Sequence, residues 1–521
     1  MRRLHIGIID LVSKSPTRSM WARVMHANLA SIMPQVIGVW CQEEGHEVTY
    51  LCYTGLEDLS EQLPGSVDLV FIGAFSEAAQ LAYALSNQFR SRGAVTVLGG
   101  PHARCYPQDA QKYFDYVLGF TDKSVIHEIL TECAPNRPMG VRLASAGQPL
   151  ELPGVRERWQ FIEPTLKKAP FIKMVPMLGS LGCPYQCSFC IDSVVPYQPL
   201  DLGVLKEDLT FLLTKFKRPL VAFHDPNFGV QFNNVMNAIE EAVPPGRIDF
   251  AAESSLSLLS EAHLVRMQRN GFKALLPGIE SWYDMGEKSH TGKLRGLDKV
   301  REVSEHVNMI LRYVPYLQSN FVLGLDVDEG NEPFELTKRF IDLTPGAFPG
   351  YSLLSAFGQA APLNLQYQQE DRVIAFPFHF LNNNGAMNIK PKNYAWSAFY
   401  ERVIDLTRYS FSARAMARRA LATKTMIPKW LNLVRALSSE GYGRIHYYTE
   451  IRRRLLVDPE FRPFFERQST QIPRFYTDRV KKDMGPMWRW LPEGALEHDP
   501  NAYLKSTLEG ASEPVAVRVA V

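Results

Sequence analysis

The first 133 residues alternate short apolar runs with stretches of helical period. Residues 4–10, 47–52, 67–74, 95–99 and 113–120 read as strands, and 32–44, 77–90 and 125–133 as helices. Strands separated by helices predict an α/β fold with a doubly wound parallel sheet. Ligands of such sheets bind beyond the carboxyl ends of the strands, where the strand order reverses. The polar loop 13–18 follows the first strand and reads as solvated, with phosphate or amide contact as the alternative.

Proline and glycine interrupt every period across 134–168, which reads as a linker with a short hairpin. A second alternation fills 169–390. Strands are expected at 172–178, 220–224, 248–252, 273–277, 319–325 and 351–355. Helices are expected at 202–215, 231–242, 260–270, 298–307 and 332–343. About six β/α units predict a partial (β/α)6 barrel with its chemistry at the carboxyl ends of the strands. Residues 391–521 are mostly helical in pattern. The expected organisation is therefore a sheet domain (1–133), a linker (134–168), a barrel (169–390) and a helical cap (391–521).

Composition agrees with about three domains in 521 residues. With 46% hydrophobic, 11% aromatic and 21% charged residues, wholesale disorder is excluded. The formal charge of +2 gives no basic field for a nucleic-acid partner. No apolar run reaches the roughly 18–20 residues of a membrane span. The apolar run after Arg3 stops at Asp10 without a cleavage site, so no signal peptide is read and a cytoplasmic protein is expected. Neutrality is nevertheless an average. Residues 391–521 hold 22 Lys and Arg against 14 Asp and Glu. Their basic runs, Arg418-Arg419, Arg452–Arg454 and Lys481-Lys482, are interleaved with aromatic residues. They read as a solvated helical face over an aromatic core, with a peripheral membrane contact or an anionic substrate as alternatives.

Of seven cysteines, Cys41, Cys52, Cys105 and Cys133 stand apart, while Cys183, Cys187 and Cys190 fall within eight residues. Uneven spacing and an odd count argue for a reducing compartment rather than a disulfide framework. A structural zinc site closes with four ligands, and no fourth Cys or His stands in register here; the next histidine is His224. Three thiolates on a [4Fe–4S] cluster would leave one iron open.

The C-x3-C-x2-C loop, with Phe189 before its last cysteine, resembles the signature of the radical S-adenosylmethionine enzymes. That resemblance implies a [4Fe–4S] cluster on Cys183, Cys187 and Cys190 whose open iron binds S-adenosylmethionine. Reductive cleavage then yields a 5′-deoxyadenosyl radical, which requires an external one-electron donor such as flavodoxin or ferredoxin. It also implies S-adenosylmethionine contacts at Asp225, in Phe-His-Asp-Pro-Asn-Phe; at Glu253, in Ala-Ala-Glu; at Glu280, in Gly-Ile-Glu-Ser; and at Gly324, closing the fifth strand. Helix caps or turn acids are the alternative roles of the three carboxylates.

The amino-terminal sheet resembles the cobalamin-binding domain fused ahead of many such barrels, with Gly73, Gly99, Gly100 and His102 as implied cobalamin contacts. A D-x-H-x-x-G motif is missing, which leaves the lower ligand of cobalt unassigned. Residues 321–419 resemble the hopanoid-methylase-like branch, which implies a small-molecule or lipid-like substrate. Together these resemblances imply a cobalamin-dependent methyltransferase acting at an unactivated carbon. The alternatives are a radical enzyme that forms or rearranges rings without methyl transfer, and a cobalamin or redox sensor.

Overall fold

The structure is a computed structural model and describes residues 2–16, 20–63, 66–136, 140–382, 384–502 and 517–519. Thr17 and Arg18 of the loop 13–18 lie outside the described residues.

The chain opens with β1 (His5–Leu11), β2 (Glu47–Tyr53), β3 (Leu69–Ala74), β4 (Val95–Gly99) and β5 (Tyr116–Leu118). All pair in parallel, and β1 lies between β2 and β3, so the strand order reverses there. Alternation along the strands separates two buried faces. Ile9, Ile72 and Leu98 enter one core, whereas Ile8, Phe71 and Val97 enter another beneath the helices Ile32–Glu43 and Lys123–Glu132.

The stretch 134–168 corrects the linker reading. Val141–Ala144 is β6, parallel to β5, and Val155–Lys168 is a helix. The strand is too short, and its proline- and glycine-rich flanks too broken, for a period to show. Arg158 of this helix is buried and donates from Nη1 to Gln35 Oε1 (2.8 Å), fixing it to the helix Ile32–Glu43.

The second sheet begins with β7 (Met174–Met177), after which β8 (Ser180–Leu181) and β9 (Gln198–Pro199) form a small antiparallel hairpin around the cysteine loop. Next come β10 (Leu220–Phe223), β11 (Asp249–Ala252), β12 (Phe272–Leu275) and β13 (Gly278–Glu280). The series ends in β14 (Tyr316–Leu323) and β15 (Phe348–Leu353). β12 and β13 both pair β14 and form one strand interrupted at Leu276-Pro277, since proline supplies no donor to the ladder. The strands are parallel and run β7-β10-β11-β12/β13-β14-β15, the partial barrel expected.

From Trp396 onward the chain is helical. Trp396, Phe461, Phe465 and Tyr476 bury their rings, which bears out an aromatic core. The last segments also return to the first sheet: Asn87 Nδ2 donates to Trp490 O (2.9 Å), and Gln80 Nε2 to Ala495 O (3.3 Å). A last strand, β16 (Val517–Val519), pairs β6 at the edge of that sheet. Among the described residues, no helix is long and apolar enough to cross a membrane.

Candidate functional site

The cysteine loop hangs from the carboxyl end of β7. Asp225, just beyond β10, fixes its root: Gly179 N–H donates to both carboxylate oxygens (3.1 and 3.0 Å) and Ser180 Oγ to Oδ1 (2.7 Å). Burial raises the Asp225 pKa to about 6, and these hydrogen bonds only partly oppose it. Asp225 thus caps no helix, and its Oδ1 in particular is given to the root of the loop. Further along, the hydroxyls of Tyr185 and Ser257 meet at 3.1 Å, and Leu363 N–H donates to Ser188 O (3.0 Å).

Cys183, Cys187 and Cys190 are half-buried, and burial raises all three thiol pKa values, that of Cys190 to about 11. Their thiols influence one another in sequence, Cys183 with Cys187 and Cys187 with Cys190. Among the described residues, no group of three or more His, Cys, Asp or Glu side chains is already converged on a metal position. The donor set nonetheless suits a cluster: three soft sulfurs on one loop, held at its root and middle, with a cation close by.

That cation is Lys288, which the sequence reading missed. Burial alone would lower its pKa, but Glu280 raises it, through a contact of 2.6 Å between Nζ and Glu280 Oε1. The charge also opposes burial at all three cysteines. Glu280 is buried at a φ of +63°, a left-handed backbone seldom adopted outside glycine and costing on the order of 1–2 kcal/mol. A Cβ at Gly278 would stand 2.0 Å from Glu280 Oε1 and 2.8 Å from Lys288 Nζ, so the ion pair fills the space that this glycine leaves. The signal available in the sequence was a glycine two residues before the acid.

Glu253, beyond β11, is exposed to solvent, yet burial raises its pKa, with Glu280 and Asp192 adding to the shift and Lys288 opposing it. His224, beyond β10, is likewise exposed while burial pushes its pKa down to about 4. Both side chains are therefore open to solvent while closely flanked by protein at the carboxyl ends of β10 and β11. Gly324 is different: it is buried at a φ of +90° under Met387 and Phe399, where its N–H donates to Asp328 Oδ2 (3.2 Å). It turns the chain at the end of β14 and presents no open surface.

The first sheet meets the cysteine loop with its carboxyl edge. Arg104, on the short helix Pro101–Cys105 after β4, approaches Ile191 O (3.4 Å) and Asp192 Oδ1 (3.3 Å). Tyr106 OH donates to Ala356 O beyond β15 (3.1 Å). At this edge Gly73 and Gly99 are half-buried and Gly100 is exposed. Gly100 has a φ of +90° and packs on Ala74, whose backbone atoms a Cβ would meet at 3.0 Å. Phe75, next to it, is 50% exposed, an apolar surface suited to a flat macrocycle. Open glycine backbone and an uncovered ring fit the cobalamin expectation for these glycines.

His102 does not share that fit. It is wholly buried, with Nε2 2.6 Å from Tyr83 OH and Nδ1 3.4 Å from Ser76 Oγ, and its ring packs on Phe378. Burial drives its pKa down to about 3. It is a neutral histidine of the interior, not one lining an open cofactor face, because both ring nitrogens already have partners. The loop after β1 departs from its expectation too: Ser13 is buried, and Lys14 Nζ donates to His379 O (2.5 Å) and lies over Phe380.

A separate cleft of about 780 Å³ is lined by Trp40, Asp122, Leu152, Leu178, Leu200 and other residues. None of the three cysteines lines it.

No family model matches the chain. It is similar to two methyltransferases of Chlorobaculum tepidum. Identity to the bacteriochlorophyllide d C-12(1)-methyltransferase is 23% over 381 residues, covering 72% of this chain and 81% of the relative. Identity to the bacteriochlorophyllide d C-8(2)-methyltransferase is 22% over 295 residues, covering 53% and 63%. Among solved structures, the radical S-adenosylmethionine methyltransferase TsrM of Kitasatospora setae, with cobalamin and a [4Fe–4S] cluster bound, superimposes with a TM-score of 0.53. Identity there is 14%, over 71% of this chain and 78% of that one. OxsB, a cobalamin-dependent S-adenosylmethionine radical enzyme with aqua-cobalamin bound, gives 0.55 at 10% identity, over 97% and 83%. The architecture built above, parallel sheet, partial barrel and helical region, is therefore one that cobalamin-dependent radical enzymes share.

Proposed function

We propose that this chain, built on the fold of the cobalamin-dependent radical S-adenosylmethionine enzymes, is a methyltransferase acting at an unactivated carbon. The observation that carries the reading is that one cysteine loop is gripped from both sides, by Asp225 of the barrel and by Arg104 from the carboxyl edge of the first sheet. An arrangement of this kind holds two reactive groups at a fixed separation around one substrate carbon, which is how orientation lowers a barrier.

S-adenosylmethionine, a [4Fe–4S] cluster and cobalamin bound here would supply reductive cleavage of a sulfonium and a transferable methyl group. Cys183, Cys187 and Cys190 are the residues that would hold the cluster. Their thiols must lose protons to do so, which burial opposes and the Lys288 charge assists. Glu253 keeps a carboxylate open for hydrogen-bond donors of S-adenosylmethionine. Lys288 holds the Glu280 carboxylate in place, and Asp225 positions the loop. Gly73, Gly99 and Gly100 would bring backbone against cobalamin, and Phe75 would exclude water from its face. Electrons would come from an external donor such as flavodoxin or ferredoxin. For the substrate we take an apolar small molecule, either ring-shaped like the bacteriochlorophyllides named for the Chlorobaculum relatives or lipid-like.

Anaerobic turnover with methyl-labelled S-adenosylmethionine tests this, using bacteriochlorophyllide d and an apolar cell extract as substrate sources. The expected result is 5′-deoxyadenosine and S-adenosylhomocysteine together, with label in a product. 5′-Deoxyadenosine without S-adenosylhomocysteine would point instead to a radical enzyme that transfers no methyl group. Formation of neither would leave a sensor.

A further inference from the structure

Four arginines of the basic runs that stand out in the sequence are neutralised by acids, whereas Arg419 is buried against backbone carbonyls and Lys481 lies over Trp488. Arg418 pairs with Asp342, Arg452 with Glu401, Arg453 with Glu450, and Arg454 with Glu450 and Asp458. A further concentration of positive charge spans the first of these runs and the helix after it. Residues 412–437 contain six Lys and Arg and no acid. Two of the six, Arg419 and Arg435, are buried: Arg419 Nε donates to Ala347 O (3.1 Å), and Arg435 reaches Tyr316 OH, Gln318 and Glu440. They seat the helices Ala413–Ala422 and Met426–Leu437 against the beginnings of β14 and β15, the end of the barrel remote from the cysteine loop. Among the described residues, Arg414, Lys424 and Lys429 enter no ion pair or hydrogen bond with a carboxylate.

Between these cations runs an uncovered apolar stripe. Met426, Ile427, Trp430, Leu433 and Leu437 recur at helical spacing and are 63%, 75%, 60%, 39% and 53% exposed, while Pro428, Asn432 and Ala436 on the opposite face are buried. Leu421, one turn before the helix, is 85% exposed. Soluble surfaces seldom leave so many large apolar side chains contiguous. A tryptophan and aliphatic stripe bordered by unpaired cations and free of acids matches a helix lying in the headgroup region of an anionic bilayer.

We propose that the helix Met426–Leu437, with Leu421 and the cations Arg414, Lys424 and Lys429, docks this protein on an anionic lipid surface. The apolar stripe enters the interface while the three cations meet the headgroups. Docking would use the face remote from the cysteine loop and leave the site free.

Flotation of the full chain with phosphatidylcholine vesicles, with and without phosphatidylglycerol, tests the proposal independently of cofactors and activity. Each cation contributes about fivefold to partitioning, so the mixed vesicles should bind the protein roughly a hundredfold better. Added salt should weaken this preference. The double variant Ile427→Glu, Trp430→Glu should abolish binding, and Lys424→Glu should reduce the preference for phosphatidylglycerol. Both apolar positions are exposed, so an unchanged circular-dichroism melt checks that the variants fold. Failure to bind either vesicle, or equal binding by the parent and the double variant, would overturn the proposal. So would a dimer in light scattering that the double variant disperses, since the stripe would then be covered by a second copy.

Discussion

Lys288 Nζ and Glu280 Oε1 stand 2.6 Å apart in space that Gly278 leaves open, on a backbone held at positive φ. A side chain at 278 must push this pair aside. Gly278→Ala is expected to destabilise the protein by about 1–3 kcal/mol, as overpacking does. It should also weaken S-adenosylmethionine binding to reconstituted protein about tenfold, while iron content stays unchanged. Calorimetric titration reads the affinity, and an unaltered affinity would show that the pair plays no part in holding the cofactor.

Asp225 sets a pH dependence. Its pKa in the folded chain is about 6, above the roughly 3.9 of an unperturbed aspartate, so the unfolded state gives up the proton first. The contribution of this group to stability is therefore largest below about pH 4, declines as pH rises to about 6, and is level beyond. Asp225→Asn removes that component. In urea titrations of the cofactor-free protein, the variant should gain on the parent across this window. A stability difference independent of pH would contradict the assignment.

His102 offers a separation of roles. Buried between Tyr83, Ser76 and Phe378, it belongs to the packing of the first sheet. His102→Phe is expected to lower stability yet retain bound cobalamin after gel filtration, read by the absorbance of the cofactor. Loss of cobalamin from a variant with a normal melting curve would return this residue to the cofactor site.

Arg372 grips Asp326 through two hydrogen bonds, 2.7 and 2.6 Å, at the turn that follows β14. Its side chain is 10% exposed and that of Asp326 24%, so removing one partner strands a largely desolvated charge. Arg372→Met is expected to cost on the order of 3 kcal/mol in chemical denaturation. Asp326→Asn combined with Arg372→Met should recover part of that loss.

The elements legible in the sequence were those long enough to show a period and bounded by turn residues. The helices Leu202–Lys215 and Glu332–Leu343 and the strand Val95–Gly99 stand where the pattern puts them. β6 escaped because four residues between broken flanks show no alternation, and the interruption at Pro277 hid that β12 and β13 are one strand. Candidate carboxylates could be located from motifs, but not what they touch. Asp225 turned inward to Gly179 and Ser180, whereas Glu253 stayed open. Arg104 and Lys288 belong to no motif; only the closure of the chain brings them to the cysteine loop. Side-chain geometry of that kind depends on contacts between residues far apart in sequence, which a linear pattern does not contain.

One continuous core includes Ile9, Ile72 and Leu98 of the first sheet, Val175, Phe250 and Leu317 of the barrel, and Tyr448 and Phe465 of the helical region. Close-packed interiors yield little under load. The separation between the two sides of the cysteine loop is then an inherited dimension, expected to hold through turnover rather than to open at a hinge. The same continuity makes melting a shared event: a differential scanning trace of this chain should give one endotherm in which sheet, barrel and helices are lost together, and a fragment cut between the sheet and the barrel should expose both sides of the core that had joined them.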